Sequence, residues 1–289
     1  MKKFLLLILT IYVVSSCVKN NPDPSWLQVN EWDLVSNPNL SGEEGELTEN
    51  LSDAWVYVDD QLIGVFQVPF KIPILKSGQV NIKLFPAIKN NGISATKKIY
   101  PFVKTYEVNA VLTQNQVLTI NPTTQYKDNL NFWVEDFEDV NIKISSDPNT
   151  SATDLSLGNT NLPTTSGNYY GKVTLNPSDS TWIAYVNPSQ QMTISKGLEC
   201  YLEIDYHVTN NLVTGLIYVS SSETKNNVNI RLNAQSPETV VWKKIYIDLK
   251  ELIGNSPTGS KFLPSFTASL DEGDTEGEIL IDNIKVIHF

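Results

Sequence analysis

The sequence predicts an all-β protein, a small N-terminal β-sandwich followed by a C-terminal β-sandwich of jelly-roll type. Three observations carry this expectation. Short runs rich in Val, Ile, Tyr, Phe and Trp recur along the chain and are broken by Asn, Asp, Gly, Ser and Pro. Within runs such as CYLEIDYHV, apolar and polar residues alternate with the period of two that places them on opposite strand faces. Helical periodicity is nearly absent, with only a short turn expected at LKELIG, residues 249–254.

The first element in order is not part of the fold. Lys2 and Lys3 precede an apolar run from Phe4 to Val14 that ends in Val14-Ser15-Ser16-Cys17. This run is shorter than the roughly 20 residues of a spanning helix and reads as a secretory signal covering residues 1–17. The residues VSSC resemble the lipobox of bacterial lipoproteins, in which the cysteine receives the lipid and becomes the new amino terminus. The resemblance implies lipidation at Cys17, palmitate included, and membrane attachment through the acyl chains, each buried methylene contributing about 0.8 kcal/mol. The other reading is an ordinary secretory signal with Cys17 near the cut. Residues 18–25, VKNNPDPS, are polar with two prolines and read as a tether. The acidic export residues that follow the cysteine in some surface lipoproteins of the Bacteroidota are missing at Val18-Lys19-Asn20-Asn21, which leaves the periplasmic and surface sides both open.

The formal net charge is -11, and loss of Lys2 and Lys3 makes the remainder more acidic still. Nucleic acid and anionic headgroups would be repelled, so neither is an expected partner. Of the two cysteines, Cys200 is left once Cys17 is lipidated, so no internal disulfide forms. Cys200 alternates with Leu202, Ile204 and Tyr206, the pattern of a buried thiol, and a nucleophile would find only His207 or His288 as a base.

From residue 26 to 125 the strands continue without a helix, including a hairpin around Asp59-Asp60-Gln61. The segment VYVDDQLIGVFQVPFKIPILKSGQVNIKLFP is similar to the PEGA-type module, with matching positions at Asp59, Gly64, Pro69 and Gly78. Phe66, Gln67 and Val68 depart from that pattern. The resemblance implies a structural or adhesive β module without chemistry. The polar stretch PTTQYKDNLN marks a boundary, and residues 126–289 hold nine further strand runs. Among them FED at 137–139, YYGKV at 169–173, IYIDL at 245–249 and EILIDNIKV at 278–286 together resemble the galactose-binding-like jelly roll of many carbohydrate-binding modules. That fold binds glycans in some members and serves protein contact or pure structure in others.

Candidate binding residues follow from strand faces. Tyr201, Glu203, Asp205 and His207 share the side opposite Cys200, Leu202 and Ile204. Asn229, Arg231 and Asn233 alternate with Val228, Ile230 and Leu232, while Trp242, Lys244, Tyr246 and Asp248 oppose Ile245 and Ile247. Aromatic faces with amides, carboxylates and a guanidinium suit a sugar, so Tyr201, Glu203, Asn229, Arg231, Trp242 and Tyr246 form the candidate glycan or partner face. An ordinary solvated or partner-covered sheet has the same composition. The jelly-roll resemblance further implies a structural calcium ion at Glu138 and Asp282, with solvated acids as the other reading. Asp179-Ser180-Thr181 is similar to a Bacteroidota O-glycosylation triplet.

No Gly-rich phosphate loop, HExxH or GxSxG occurs, and two histidines cannot form a three-His zinc site. The expectation is a non-catalytic outer-membrane lipoprotein acting as a scaffold or accessory subunit for an outer-membrane protein or other lipoproteins. The alternative is a surface glycan-binding lipoprotein of a polysaccharide uptake or degradation system. A scaffold predicts an apolar patch around Phe85, Tyr100 and Phe102, whereas a glycan binder predicts that Trp242 and Tyr246 line one open groove.

Overall fold

The structure, a computed structural model, describes residues 23–40, 42–159 and 167–289. The expected leader, Cys17 and most of the tether lie outside the described residues.

Ten strands build the first unit: β1 (Ser25–Val29), β2 (Asp33–Leu34), β3 (Asp53–Val58), β4 (Gln61–Gln67), β5 (Phe70–Ile74), β6 (Gly78–Lys89), β7 (Lys97–Ile99), β8 (Tyr106–Leu112), β9 (Val117–Ile120) and β10 (Thr123–Thr124). A five-stranded sheet runs β4-β3-β6-β7, with β8 also on β6. A second layer comprises the β5-β1-β9 sheet and the β10-β2 pair. Alternation sets the core between them: Ala54, Val56, Val58, Ile82 and Leu84 point inward against Leu27, Val29 and Ile120. The β3–β4 hairpin closes through Asp59 (φ 49) and Asp60 (φ 62), the paired positive φ of a tight two-residue turn. The Asp59 carboxylate accepts the Asn81 amide at 2.7 Å and fixes this turn to β6.

The second unit contains β11 (Asn131–Glu135), β12 (Ile144–Ser146), β13 (Ser156–Asn159), β14 (Tyr169–Leu175), β15 (Thr181–Val186), β16 (Cys200–Val208), β17 (Leu212–Val219), β18 (Thr224–Leu232), β19 (Lys243–Asp248), α1 (Lys250–Asn255), β20 (Lys261–Ser269) and β21 (Gly277–His288). A six-stranded sheet runs β13-β14-β21-β16-β19, with β11 also on β21, and faces a five-stranded sheet of order β12-β15-β20-β17-β18. Cys200, Leu202, Ile204, Ile245 and Ile247 from the first sheet meet Trp182, Phe262 and Phe266 from the second, and Trp182 stacks on Phe266 at 6.1 Å. This two-sheet, nearly all-β architecture agrees with the sequence expectation, including the helical turn, now α1.

The centre of the six-stranded sheet, β16 and β21, is buried on both faces. All of β21 except Glu278 and His288 is buried, and of β16 only Tyr206 is partly open. One face carries the jelly-roll core. The other lies against the first unit, so Tyr201, Tyr246 and Ile287 belong to the same hydrophobic cluster as Tyr100, Phe102 and Tyr126.

Candidate functional site

The face expected from sequence to be a glycan groove or partner surface is the seam between the two units. Tyr201 and Glu203 are 0% exposed and Tyr246 3%. Tyr100 packs edge-on against Tyr201 at 5.5 Å and tilted against Tyr246 at 4.8 Å, and Phe102 sits 5.8 Å from Tyr201. The covering partner is therefore the chain's own first unit. The same contacts correct the expected exposed patch, because Tyr100 and Phe102 are buried in the seam.

Polar side chains in the seam satisfy one another. Lys244 Nζ lies 2.9 Å from Glu203 Oε2 and 3.3 Å from Asp205 Oδ1. Glu203 also accepts the Tyr100 and Tyr126 hydroxyls, and Asp205 accepts Thr48 and, at 3.0 Å, Asn283 Nδ2. Burial pushes the Glu203 carboxyl up, yet Lys244 and Lys285 outweigh it and hold it below the usual range. Burial likewise opposes the Lys244 charge, but Asp205 and Glu203 overcome this and raise its pKa. Lys285, whose ammonium donates to the Glu46 carbonyl, is pushed down to about 8 by burial and by Lys244.

Asn229 and Arg231 do not join this face. They lie on β18 at the edge of the opposite sheet. A bulge corrects the alternation as well: Val228 pairs with Gly215 and Arg231 with Val213, so Asn229 and Ile230 together oppose Thr214. Val228, expected in the core, is 63% exposed and shares a face with Arg231. Asn229 Oδ1 accepts the Thr214 hydroxyl at 2.7 Å and the Ile230 amide at 2.7 Å, a role internal to the bulge.

Trp242 and Tyr246 do line one opening. At the mouth of the seam is a cleft of about 540 Å³, with Glu49, Asn50, Lys89, Gly92 and Ser94 from the first unit and Tyr206, Trp242, Lys243, Lys244, Ile245 and Tyr246 from the second. Its volume falls within the roughly 300–1,000 Å³ of small-molecule sites. The NNG turn after β6 shapes one wall. Asn91 (φ 56) donates its amide to the Tyr246 carbonyl at 2.9 Å, its side-chain oxygen accepts the Asp248 amide at 2.8 Å, and Gly92 (φ 72) packs on Ile245. The turn thereby caps the open edge of β19. On the other wall Trp242 is half-buried and edge-on to Tyr170 at 5.7 Å. Tyr246 contributes its hydroxyl, which accepts the Asn50 amide at 2.9 Å. Burial raises the Glu49 carboxyl above the usual range against the pull of the Leu51 amide and Lys244. A recess of about 250 Å³ continues the cleft into the first unit and shares Glu49, Asn50 and Lys89.

The first-unit wall was not among the sequence candidates. Lys89-Asn90-Asn91-Gly92 is legible as an exposed turn, but nothing local announces that it docks on β19. Trp242 flanked by Lys243 and Lys244 was the available signal on the second unit.

The acids expected to hold calcium are otherwise engaged. Glu138 accepts the Tyr169 amide at 2.7 Å, the Asn168 amide at 2.5 Å and the Asn168 side chain at 3.2 Å, which anchors the approach to β14. Asp282 accepts its neighbour's amide at 2.8 Å and is pushed up to about 8, chiefly by burial. Among the described residues no group of three or more His, Cys, Asp or Glu side chains could hold a metal. A hard cation asks for roughly six to eight oxygens, so this pair does not fit the group. Cys200 is fully buried, and burial followed by the Asp248 and Glu199 charges pushes its thiol up, as an inert core thiol requires.

No protein-family model matches the chain, and no curated protein matches it. Solved structures do show likenesses. The CBM22-2 xylan-binding domain of Xyn10C from Paenibacillus barcinonensis is 16% identical at a TM-score of 0.39, over 54% of this chain and 99% of that one. A carbohydrate-binding module from a study of promiscuous specificity in the β-sandwich superfamily is 14% identical at a TM-score of 0.37, over 80% and 83%. The CBM22-1 and GH10 modules of Clostridium thermocellum xylanase 10B, complexed with xylohexaose, are 15% identical at 0.36 over 51% of this chain, which spans only 26% of that structure.

Proposed function

We propose that this chain is a non-catalytic glycan-binding protein of the cell envelope, held at the outer membrane by lipid on Cys17, that retains a polysaccharide strand in the cleft between its units. The observation that carries the reading is the cleft itself. An indole and the Tyr206 ring converge there with the Tyr246 hydroxyl, an amide, a second hydroxyl, a carboxyl and lysines around an open volume of about 540 Å³. A pyranose offers an apolar C–H face to an aromatic ring and hydroxyls at its rim, and these side chains match both. The scaffold reading has less to support it, since Tyr100 and Phe102 of the expected docking patch are covered within the chain and only Phe85, half-buried against Tyr57, is left outside the seam.

A glycan array probed with the full-length protein in mild detergent tests this. The reading expects retention of at least one polysaccharide class and its loss in Trp242→Ala. Equal retention by that variant would remove the cleft as the site, and absence of any retention would overturn the reading.

A further inference from the structure

Two cations in the proposed glycan cleft have no carboxylate partner among the described residues. Lys89 ends β6 in the first unit and Lys243 begins β19 in the second, and each lines the cleft from its own unit. Neither ammonium makes an ion pair or hydrogen bond with another described residue. Several lysines elsewhere are paired closely, Lys97 with Asp53 at 2.6 Å, Lys250 with Glu199 at 2.7 Å and Lys98 with Asp248 at 3.0 Å. Lys127, Lys196 and Lys261 donate to a carbonyl or hydroxyl, Lys71 sits over the Trp26 ring, and Lys225 on the exposed strand β18 has no carboxylate partner among the described residues either. The third lysine of the cleft, Lys244, is already answered by Glu203 and Asp205. Glu49, the acid among the lining residues, accepts the Leu51 amide with Oε2 and so keeps Oε1 for a sugar hydroxyl.

Resting on the glycan reading of this cleft, we infer that it selects anionic polysaccharides, whose pyranose rings carry a carboxylate or a sulfate, over neutral ones. A ring stacked on Trp242 presents its substituents at the rim, where flexible ammonium groups from both units reach them as charge-assisted donors. The chain's overall negative charge acts at longer range and is screened at physiological salt within about 8 Å, whereas these contacts are local.

The test is isothermal titration of the full chain in mild detergent with four polymers: polygalacturonate, its carboxyl-reduced counterpart, dextran sulfate and dextran. An anionic polymer binds tighter than its neutral counterpart by about tenfold or more, the size of one or two charge-assisted hydrogen bonds. The double variant Lys89→Gln/Lys243→Gln loses that advantage, binding the anionic and the neutral polymer of each pair alike, while Lys89→Arg/Lys243→Arg retains the advantage. Preference for polygalacturonate assigns a carboxylate, and preference for dextran sulfate alone assigns a sulfate. Equal binding of charged and neutral polymers, or an unaffected glutamine variant, overturns the selectivity and leaves the glycan reading standing. Binding of none of the four by a protein that retains a neutral polysaccharide on the array overturns the selectivity alone, and absence of retention on the array as well overturns both.

Discussion

Replacing Lys244 by methionine tests whether the seam between the units is held as a dry ionic contact. The substitution keeps an unbranched side chain one atom shorter and removes a charge that is 4% exposed, set 2.9 Å from Glu203 and 3.3 Å from Asp205. At an effective dielectric near 20, each attraction amounts to about 5–6 kcal/mol before desolvation is counted. The variant leaves two carboxylates at 0% and 1% exposure with a single buried cation, Lys285, and a few hydroxyls and amides. Breaking a buried pair by removing one partner typically costs about 3–5 kcal/mol, and that is the loss expected here near pH 7. The remaining carboxylates can escape by taking up a proton, so the loss should shrink toward about pH 5. Urea unfolding followed by tryptophan fluorescence reads it, and adding Glu203→Gln should recover much of the stability as a coupled pair. A loss below about 1 kcal/mol near pH 7 would mean a solvent-screened pair and would refute a dry seam.

Three further outcomes are expected, two from the structure and one, at Cys17, from the sequence and the proposed lipid anchor. Lys285, at about 8, releases its proton in the folded state while the unfolded chain still holds it up to about 10.5. The unfolded state binds more protons in that window, so stability should rise between about pH 8 and pH 10, and Lys285→Met should abolish the rise. Cys200 should resist an aromatic disulfide reagent in the folded protein and react on denaturation, and rapid labelling of the native state would contradict its placement in the core. Cys17→Ser should move the protein from the membrane to the soluble fraction, and retention on the membrane would argue against a lipid anchor at that residue.

The fold was readable in the sequence because its signals are local. Period-two alternation placed Cys200, Leu202 and Ile204 on the core side of β16 and Ile245 and Ile247 on the core side of β19, as observed. What those strands carry on their other face was read correctly as polar and aromatic, and its surroundings were not. A strand buried on both faces usually reads as a continuous apolar run. Here the second face is built of Glu203, Asp205, Lys244 and Lys285, which complete one another's charges only after β16, β19 and β21 have come together. From sequence that face is indistinguishable from one wetted by solvent. The bulge at Asn229 has a similar cause, since the extra residue on β18 is defined by its pairing with β17 and leaves no mark in the alternation of β18 itself. The cleft was half legible: Trp242 and Tyr246 were chosen for their chemistry, whereas Glu49, Lys89 and Ser94 arrive from the first unit through contacts far apart in sequence.

The most direct measurement is a crystal structure of the protein with an oligosaccharide that it retains. The account predicts a sugar ring against Trp242, between the turn that follows β6 and the start of β19, with hydroxyl contacts to Glu49, Asn50 or Ser94. A sugar bound instead on the outer face of the five-stranded jelly-roll sheet, near Val228 and Arg231, would contradict it.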